Sequence, residues 1–290
     1  MKKKVSIIGA GVVGTTVGYI LNTKGYEVVA IAGKSQASLV RARSYIKGLI
    51  TTNIVKAASL GDVIFITTQD DQIENVCKEI AHKNGFKTGD MVLHMSGALS
   101  IKVLKSADEA GACIASIHPI QSFADIDLAI KQLPGTYFGV TAGDEIWPFA
   151  FELVKDLGGE PILVKDEDKS LYHAAACVTS NYLVALLHFA QEIYSSIGIS
   201  QEVSIKAIWP LVEGTLKNIK QKGTSQALTG PIARGDLGTI EKHLSSIKLK
   251  LPEVLSLYEK LGNYTVDVAL KKGSIDEKQA DKVKQLLDKE

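Results

Sequence analysis

Apolar positions along the chain gather into short β-branched runs, at residues 5–8, 28–31, 63–67, 91–95, 113–117, 137–141 and 161–164, with stretches of helical spacing between them. The runs lack a period of two, which suits strands buried on both faces. Their alternation with helices predicts βαβ units around a mostly parallel, doubly wound sheet. After about residue 165 the pattern changes. The segment "LYHAAACVTSNYLVALLHFAQEIYSSIG" keeps helical spacing until Gly198, and further helical pieces follow. The prediction is an α/β domain over residues 1–163 and an all-helical domain over 164–290, joined by the short charged link "VKDEDKS".

Composition changes this picture little. A chain of 290 residues with 46% hydrophobic and 22% charged residues and a formal net charge of +1 reads as an ordinary globular protein, with no basic patch for nucleic acid. Cys77, Cys113 and Cys177 are widely spaced, with no CxxC pair and no Cys/His grouping at metal-ligand spacing, which predicts a reduced chain without a metal site. The opening "VSIIGAGVVGTTVGYIL" follows three lysines and superficially resembles a secretory signal. Four glycines and two threonines interrupt it, and no other stretch approaches 18 apolar residues, so the expectation is a cytoplasmic protein with no membrane partner.

The glycines of that opening carry a chemical meaning. Gly9-Ala10-Gly11-Val12-Val13-Gly14 is a GxGxxG run placed after a predicted strand and at the start of a predicted helix, as dinucleotide binding requires. Gly9 allows the tight turn, Gly11 the close approach of the pyrophosphate, and Gly14 the packing of helix on sheet. The domain is therefore expected to be Rossmann-like. The second strand ends in Gly33-Lys34-Ser35, without the carboxylate that would bind the 2′-hydroxyl of NAD. A lysine and a serine there suit a 2′-phosphate, so NADP is expected rather than NAD. Ser35 could also simply cap the next helix.

Ligands of open α/β sheets collect at the carboxyl ends of strands. Those ends hold Thr67, Thr68 and Gln69, then Ser96, then His118 and Gln121. Asp70 and Asp71 could serve the site or simply cap the next helix, and His94 is expected to be a core histidine. On the long helix, His173, Cys177, Ser180 and Asn181 share one face. The loop "TGPIARGD" holds Arg234, fit to grip a carboxylate or phosphate, or to pair with Asp236 at the surface.

The motifs "GAGVVG", "HMSGALS", "HPIQSF", "YHAAACVTSNYLVALL" and "ALTGPIARGD", in this order, resemble those of a bacterial family of Rossmann-like proteins with a C-terminal helical domain of unknown function, described as candidate NADP oxidoreductases. That family is similar in fold to pyrroline-5-carboxylate reductase, 3-hydroxyisobutyrate dehydrogenase and ketopantoate reductase. The resemblance implies that "HPIQSF" lies near the nicotinamide, that "LTGPIARGD" replaces the loop closing on substrate, and that the protein is a homodimer. The related dehydrogenases place a lysine one or two turns before an asparagine on the long helix. Here Asn181 matches, but Cys177 and His173 stand where the lysine should be, and Lys169 is out of register. The resulting expectation is an NADP-dependent reductase of a small oxo or imino acid, with ketopantoate the leading specific substrate. His173 would be the acid. Asn181 would orient the reacting oxygen, His118 would complete the catalytic set, and Gln121, Ser180 and Arg234 would hold substrate. The alternatives are a non-catalytic NADP-binding regulator, motivated by the missing lysine, and an enzyme using another carrier such as a deazaflavin.

Overall fold

The structure, a computed structural model, describes residues 2–288. Its eight strands are β1 (Lys4–Ile8), β2 (Glu27–Ala32), β3 (Leu49–Thr51), β4 (Val63–Ile66), β5 (Met91–His94), β6 (Cys113–Pro119), β7 (Tyr137–Ala142) and β8 (Glu160–Leu163). They lie in the order β3-β2-β1-β4-β5-β6-β7-β8, and all neighbours are parallel except β6 and β7. The chain winds outward from β1 to β3 and resumes on the other side of β1 with β4. That reversal makes a switch point at the carboxyl ends of β1 and β4. The sequence pattern missed β3, which is three residues long and only half-buried.

Seven helices accompany the sheet: α1 (Val12–Thr23), α2 (Gln36–Ala42), α3 (Ile54–Ala58), α4 (Asp70–His82), α5 (Lys105–Glu109), α6 (Ile126–Gln132) and α7 (Trp147–Asp156). Alternate residues of the strands feed two separate cores. Val5, Ile7 and Phe65 meet Val17 and Leu21 of α1 and Leu153 of α7. Ile8, Ile64 and Ile66 meet Ile73 and Ile80 of α4. Because both faces are apolar, the central strands show no polar alternation.

Beyond the sheet come α8 (Lys169–Ser196), α9 (Gln201–Lys222), α10 (Thr224–Ala227), α11 (Leu237–Lys250), α12 (Leu255–Lys272) and α13 (Glu277–Leu287). The compact units are Met1–Asn181 and Tyr182–Glu290, so their division falls inside α8. The second unit has its own small core, in which Val266 and Ala269 of α12 meet Ala280 and Val283 of α13.

One expectation needs correcting. With its preceding turn, α8 forms a helix (Asp166–Ser196) that is long and apolar enough, by length and composition, to cross a membrane. Polar residues stand in its first turns, Lys169 and Tyr172 among them. Those same residues pin its first turns to the sheet ends, as the hydrogen bonds below show.

Candidate active site

The glycine run folds as its spacing demands. Gly9 has φ +133°, a value that L side chains rarely adopt, and a Cβ there would lie 2.6 Å from the Thr67 backbone. A Cβ on Gly14 would come within 2.2 Å of the Gly9 carbonyl and 2.4 Å of Thr67 Oγ1. These two glycines let strand, turn and helix pack at backbone distance, and Thr67 Oγ1 ties the turn by donating to the Gly9 carbonyl at 2.9 Å. Gly11 differs, since nothing lies within 4 Å of where its Cβ would be. It caps α1 without any side-chain bond, and no acidic residue occupies the first turn, so the positive end of α1 at Val12 and Val13 is open to an anion.

A cavity of about 450 Å³ opens here, lined by Gly9, Ala10, Gly11, Gly33, Lys34, Ser35, Thr67, Thr68 and Gln69 among others. Thr68 Oγ1 is buried in its wall without a hydrogen-bond partner. Ser35 does cap α2, accepting from Ser38 N at 3.5 Å, which leaves its own hydroxyl proton free to donate. Lys34 is exposed at the rim. Free helix N–H groups, an open Gly11, an orphaned hydroxyl and a cation beyond the second strand are what a phosphorylated dinucleotide needs. The residues therefore fit NADP.

Further along the same sheet edge, the loop after β5 is fastened from several sides. Asp70 accepts from Ser96 Oγ at 2.6 Å, and that oxygen in turn accepts from Ala98 N and Leu99 N. Ser96 N donates to His94 Nδ1 at 3.1 Å. Asp166, just before α8, bonds Ser100 Oγ and accepts from Ile101 N. A further anchor comes from the first turn of α8. Lys169 is 2% exposed, and its ammonium donates to the Ser96 carbonyl at 3.1 Å and to Ser116 Oγ at 2.7 Å.

Lys169 stands three turns before Asn181, out of register for the lysine of the related dehydrogenases, and one turn before His173. Burial pushes its amine down to about 8, against the pull of the Asp166 and Asp70 carboxylates. His94 is a buried core histidine as expected, held down to about 3 by burial and then by the Lys169 charge, with Nε2 unpartnered.

His118 lies within β6, one residue before its end at Pro119. Its Nδ1 lies 2.9 Å from the Tyr172 hydroxyl, which also contacts the His118 carbonyl and Gly139 N, each at 3.2 Å. Burial, with the nearby His173 and Lys169, drives His118 down to about 4. The rings of His118 and His173 stand edge to face, with centroids 5.8 Å apart. Gly97 is what lets the two rings meet the β5 loop. A Cβ there would lie 2.6 Å from His173 Cδ2 and 2.8 Å from His118 Nε2. Cys177 Sγ is 3.7 Å and 4.0 Å from the two nitrogens of His173.

The remaining expected residues are placed differently. Gln121 does not enter this cluster. Ile120 N continues the β6–β7 ladder to the Tyr137 carbonyl, and the Gln121 amide turns to the Gln132 carbonyl and Thr136 Oγ1. Ser180 and Asn181 are exposed on α8. In the second unit Asp236 caps α11 by accepting from Thr239, so its carboxylate is spent there. Arg234 is exposed, with no ion pair among the described residues. Tyr172 went unnoticed in the sequence. A tyrosine one residue before His173 gave no sign that it would reach back to β6.

Residues 1–119 match the Rossmann-like domain family, and residues 136–265 match the domain of unknown function DUF2520. The chain pairs a Rossmann-like domain with a DUF2520 domain. The DUF2520 match begins near β7 and runs into α12, so it takes in Tyr172, His173 and the Arg234 loop. No curated protein matches the sequence. Among solved structures, protein TM1727 of Thermotoga maritima is 24% identical with TM-score 0.72, covering 92% of this chain and 99% of its own. A candidate NADP oxidoreductase of Bacteroides fragilis, BF3122, is 19% identical with TM-score 0.74, covering 92% and 98%. Plasmodium falciparum pyrroline carboxylate reductase, solved with NADP bound, is 14% identical with TM-score 0.56, covering 98% of both chains. At these identities the likeness is one of fold.

Proposed function

We propose that the protein is an NADPH-dependent oxidoreductase acting on a small oxo or imino acid. The observation that carries this reading is the open Gly11 cradle at the α1 N-terminus, lying at the same carboxyl edge of the sheet as the His118–His173 cluster. Bound NADPH would supply the hydride. Val12 and Val13 N–H groups hold its pyrophosphate, Lys34 and Ser35 its 2′-phosphate, and Thr67, Thr68, Gln69 and Ser96 line the path toward the cluster. His173 and His118 then face the reacting group. One relative in fold described as a candidate NADP oxidoreductase and another solved with NADP bound support the same cofactor. A second reading, a non-catalytic NADP-binding regulator, is favoured by one observation: Lys169 is committed to Ser96 and Ser116 rather than offered to a substrate.

Fluorescence titration with NADPH and NADH, followed by a screen of oxo and imino acids including ketopantoate for NADPH oxidation, tests both. Binding without turnover selects the regulator. Lys34→Glu is expected to weaken NADPH binding by about tenfold or more while leaving NADH unchanged, because only the 2′-phosphate meets that charge. Equal loss for both nucleotides would remove Lys34 from the phosphate site.

We also propose that the partner is a second copy of the chain. Leu171 and Val184 of α8 are 76% and 68% exposed, and Leu211 of α9 is 69% exposed, large apolar side chains that a second copy could cover. Sedimentation analysis should give twice the 31.2 kDa chain mass. A monomer that persists at micromolar concentration would refute the dimer.

A further inference from the structure

The contacts of Tyr172 decide which nitrogen of His118 carries a proton. A phenol has one O–H to give and two lone pairs to accept with. Gly139 N can only donate to it, and the His118 carbonyl can only accept from it. With the single Tyr172 proton on that carbonyl, the 2.9 Å contact to Nδ1 is satisfied when Nδ1–H donates to the second lone pair. All three contacts are then made at once. The alternative, with Tyr172 donating to Nδ1, leaves its contact with the His118 carbonyl as oxygen facing oxygen without a proton.

We propose that Tyr172 is a positioning residue that locks His118 as the Nδ1–H tautomer. The site then presents a bare Nε2 acceptor beside Gly97 and His173 and selects a substrate whose reacting heteroatom already carries a proton, an iminium rather than a ketone. The substrate half rests on the reductase reading above. The tautomer half does not.

The chemistry closes without an acid. Hydride adds to the iminium carbon, the C=N π pair moves onto nitrogen and cancels its positive charge, and nitrogen keeps the proton it brought, hydrogen-bonded to Nε2. NADPH becomes NADP+ and the iminium becomes an amine. A ketone would instead generate an alkoxide that must be protonated. Lys169, bonded to Ser96 and Ser116 and 2% exposed, is not presented to do so, and a bare His118 Nε2 has no proton to give, which leaves a ketone dependent on His173 for that proton. The displacement of the usual lysine from the substrate face is then what an iminium-reducing site tolerates.

Long-range 15N–1H correlation of histidine-labelled protein, with the His118 signals assigned by their loss in His118→Gln, tests the tautomer directly. The expected result at neutral pH is a protonated Nδ1 and an unprotonated Nε2, with Tyr172→Phe converting them to a mixture. A protonated Nε2 in the wild type overturns the proposal. Steady-state assays with 1-pyrroline-2-carboxylate and with pyruvate test the substrate class. The imine is expected to be favoured by about tenfold or more in kcat/KM, with Tyr172→Phe reducing that ratio through kcat rather than KM. Preference for pyruvate overturns the iminium assignment. An Nδ1–H tautomer with neither probe turned over would instead overturn the reductase reading, which keeps the two failures apart.

Discussion

Gly11→Ala is expected to leave the melting temperature unchanged while weakening NADPH binding by about 100-fold, and Gly14→Ala to lower both. The contrast follows from what each new methyl meets. At Gly11 the backbone has φ −78°, ordinary for any residue, and nothing of the protein lies within 4 Å, so alanine costs the fold nothing. Any loss there is a collision with the ligand, and about 3 kcal/mol of lost contact corresponds to a hundredfold change in Kd. At Gly14 the methyl would sit 2.2 Å from the Gly9 carbonyl and 2.9 Å from Ile7 Cγ2. Backbone cannot yield as a flexible side chain does. An overpacking cost of about 3 kcal/mol, at about 3 °C per kcal/mol for a chain of this size, predicts a fall in Tm of roughly 10 °C. Thermal melts beside NADPH titrations check both. A Gly11→Ala protein that binds NADPH normally would show that no phosphate approaches this turn.

Stability is expected to fall by about 3–4 kcal/mol between pH 7 and pH 5, through His94 and His118. Both are held neutral in the folded state, at about 3 and about 4, chiefly by burial. Unfolded, each titrates near its ordinary value of about 6.5. Below that value the unfolded chain takes up protons that the folded chain refuses, so acid favours unfolding by about 1.4 kcal/mol per group for each pH unit. The loss from His118 stops near its folded value of about 4. Lys169 works in the same direction at the other end. Its amine, at about 8 when folded, sheds its proton before the unfolded chain does, so its contribution to stability rises with pH from there to about 10.5. Urea unfolding at pH 7 and pH 5 measures the acid window. His94→Asn, whose amide oxygen can still accept from Ser96 N, should remove about half of the slope. A flat profile would mean that neither imidazole is buried neutral.

Several features of the candidate site were legible in the chain because they depend on local rules. A glycine is required where φ is positive or where backbones touch, and the spacing of Gly9, Gly11 and Gly14 reports that geometry directly. Lys34 and Ser35 followed from the register of the second strand. Gln121 was read wrongly because proximity to His118 in sequence says nothing about which way a loop turns. Its amide is used instead to fasten residues 132–136.

The sequence by itself determined the succession of strands and helices apart from β3, the place of the glycine turn and the helical character of the second half, because each is written in hydrophobic period and glycine spacing over a few residues. Only the tertiary structure decided the chemistry at the sheet edge. Lys169, Asp70 and Asp166 converge on one loop from segments that lie 26 to 73 residues away from their partners. Tyr172 reaches back 54 residues to fix His118. Contacts of that span arise when strands β5 and β6 are laid side by side and α8 is set across their ends, and no local pattern encodes them.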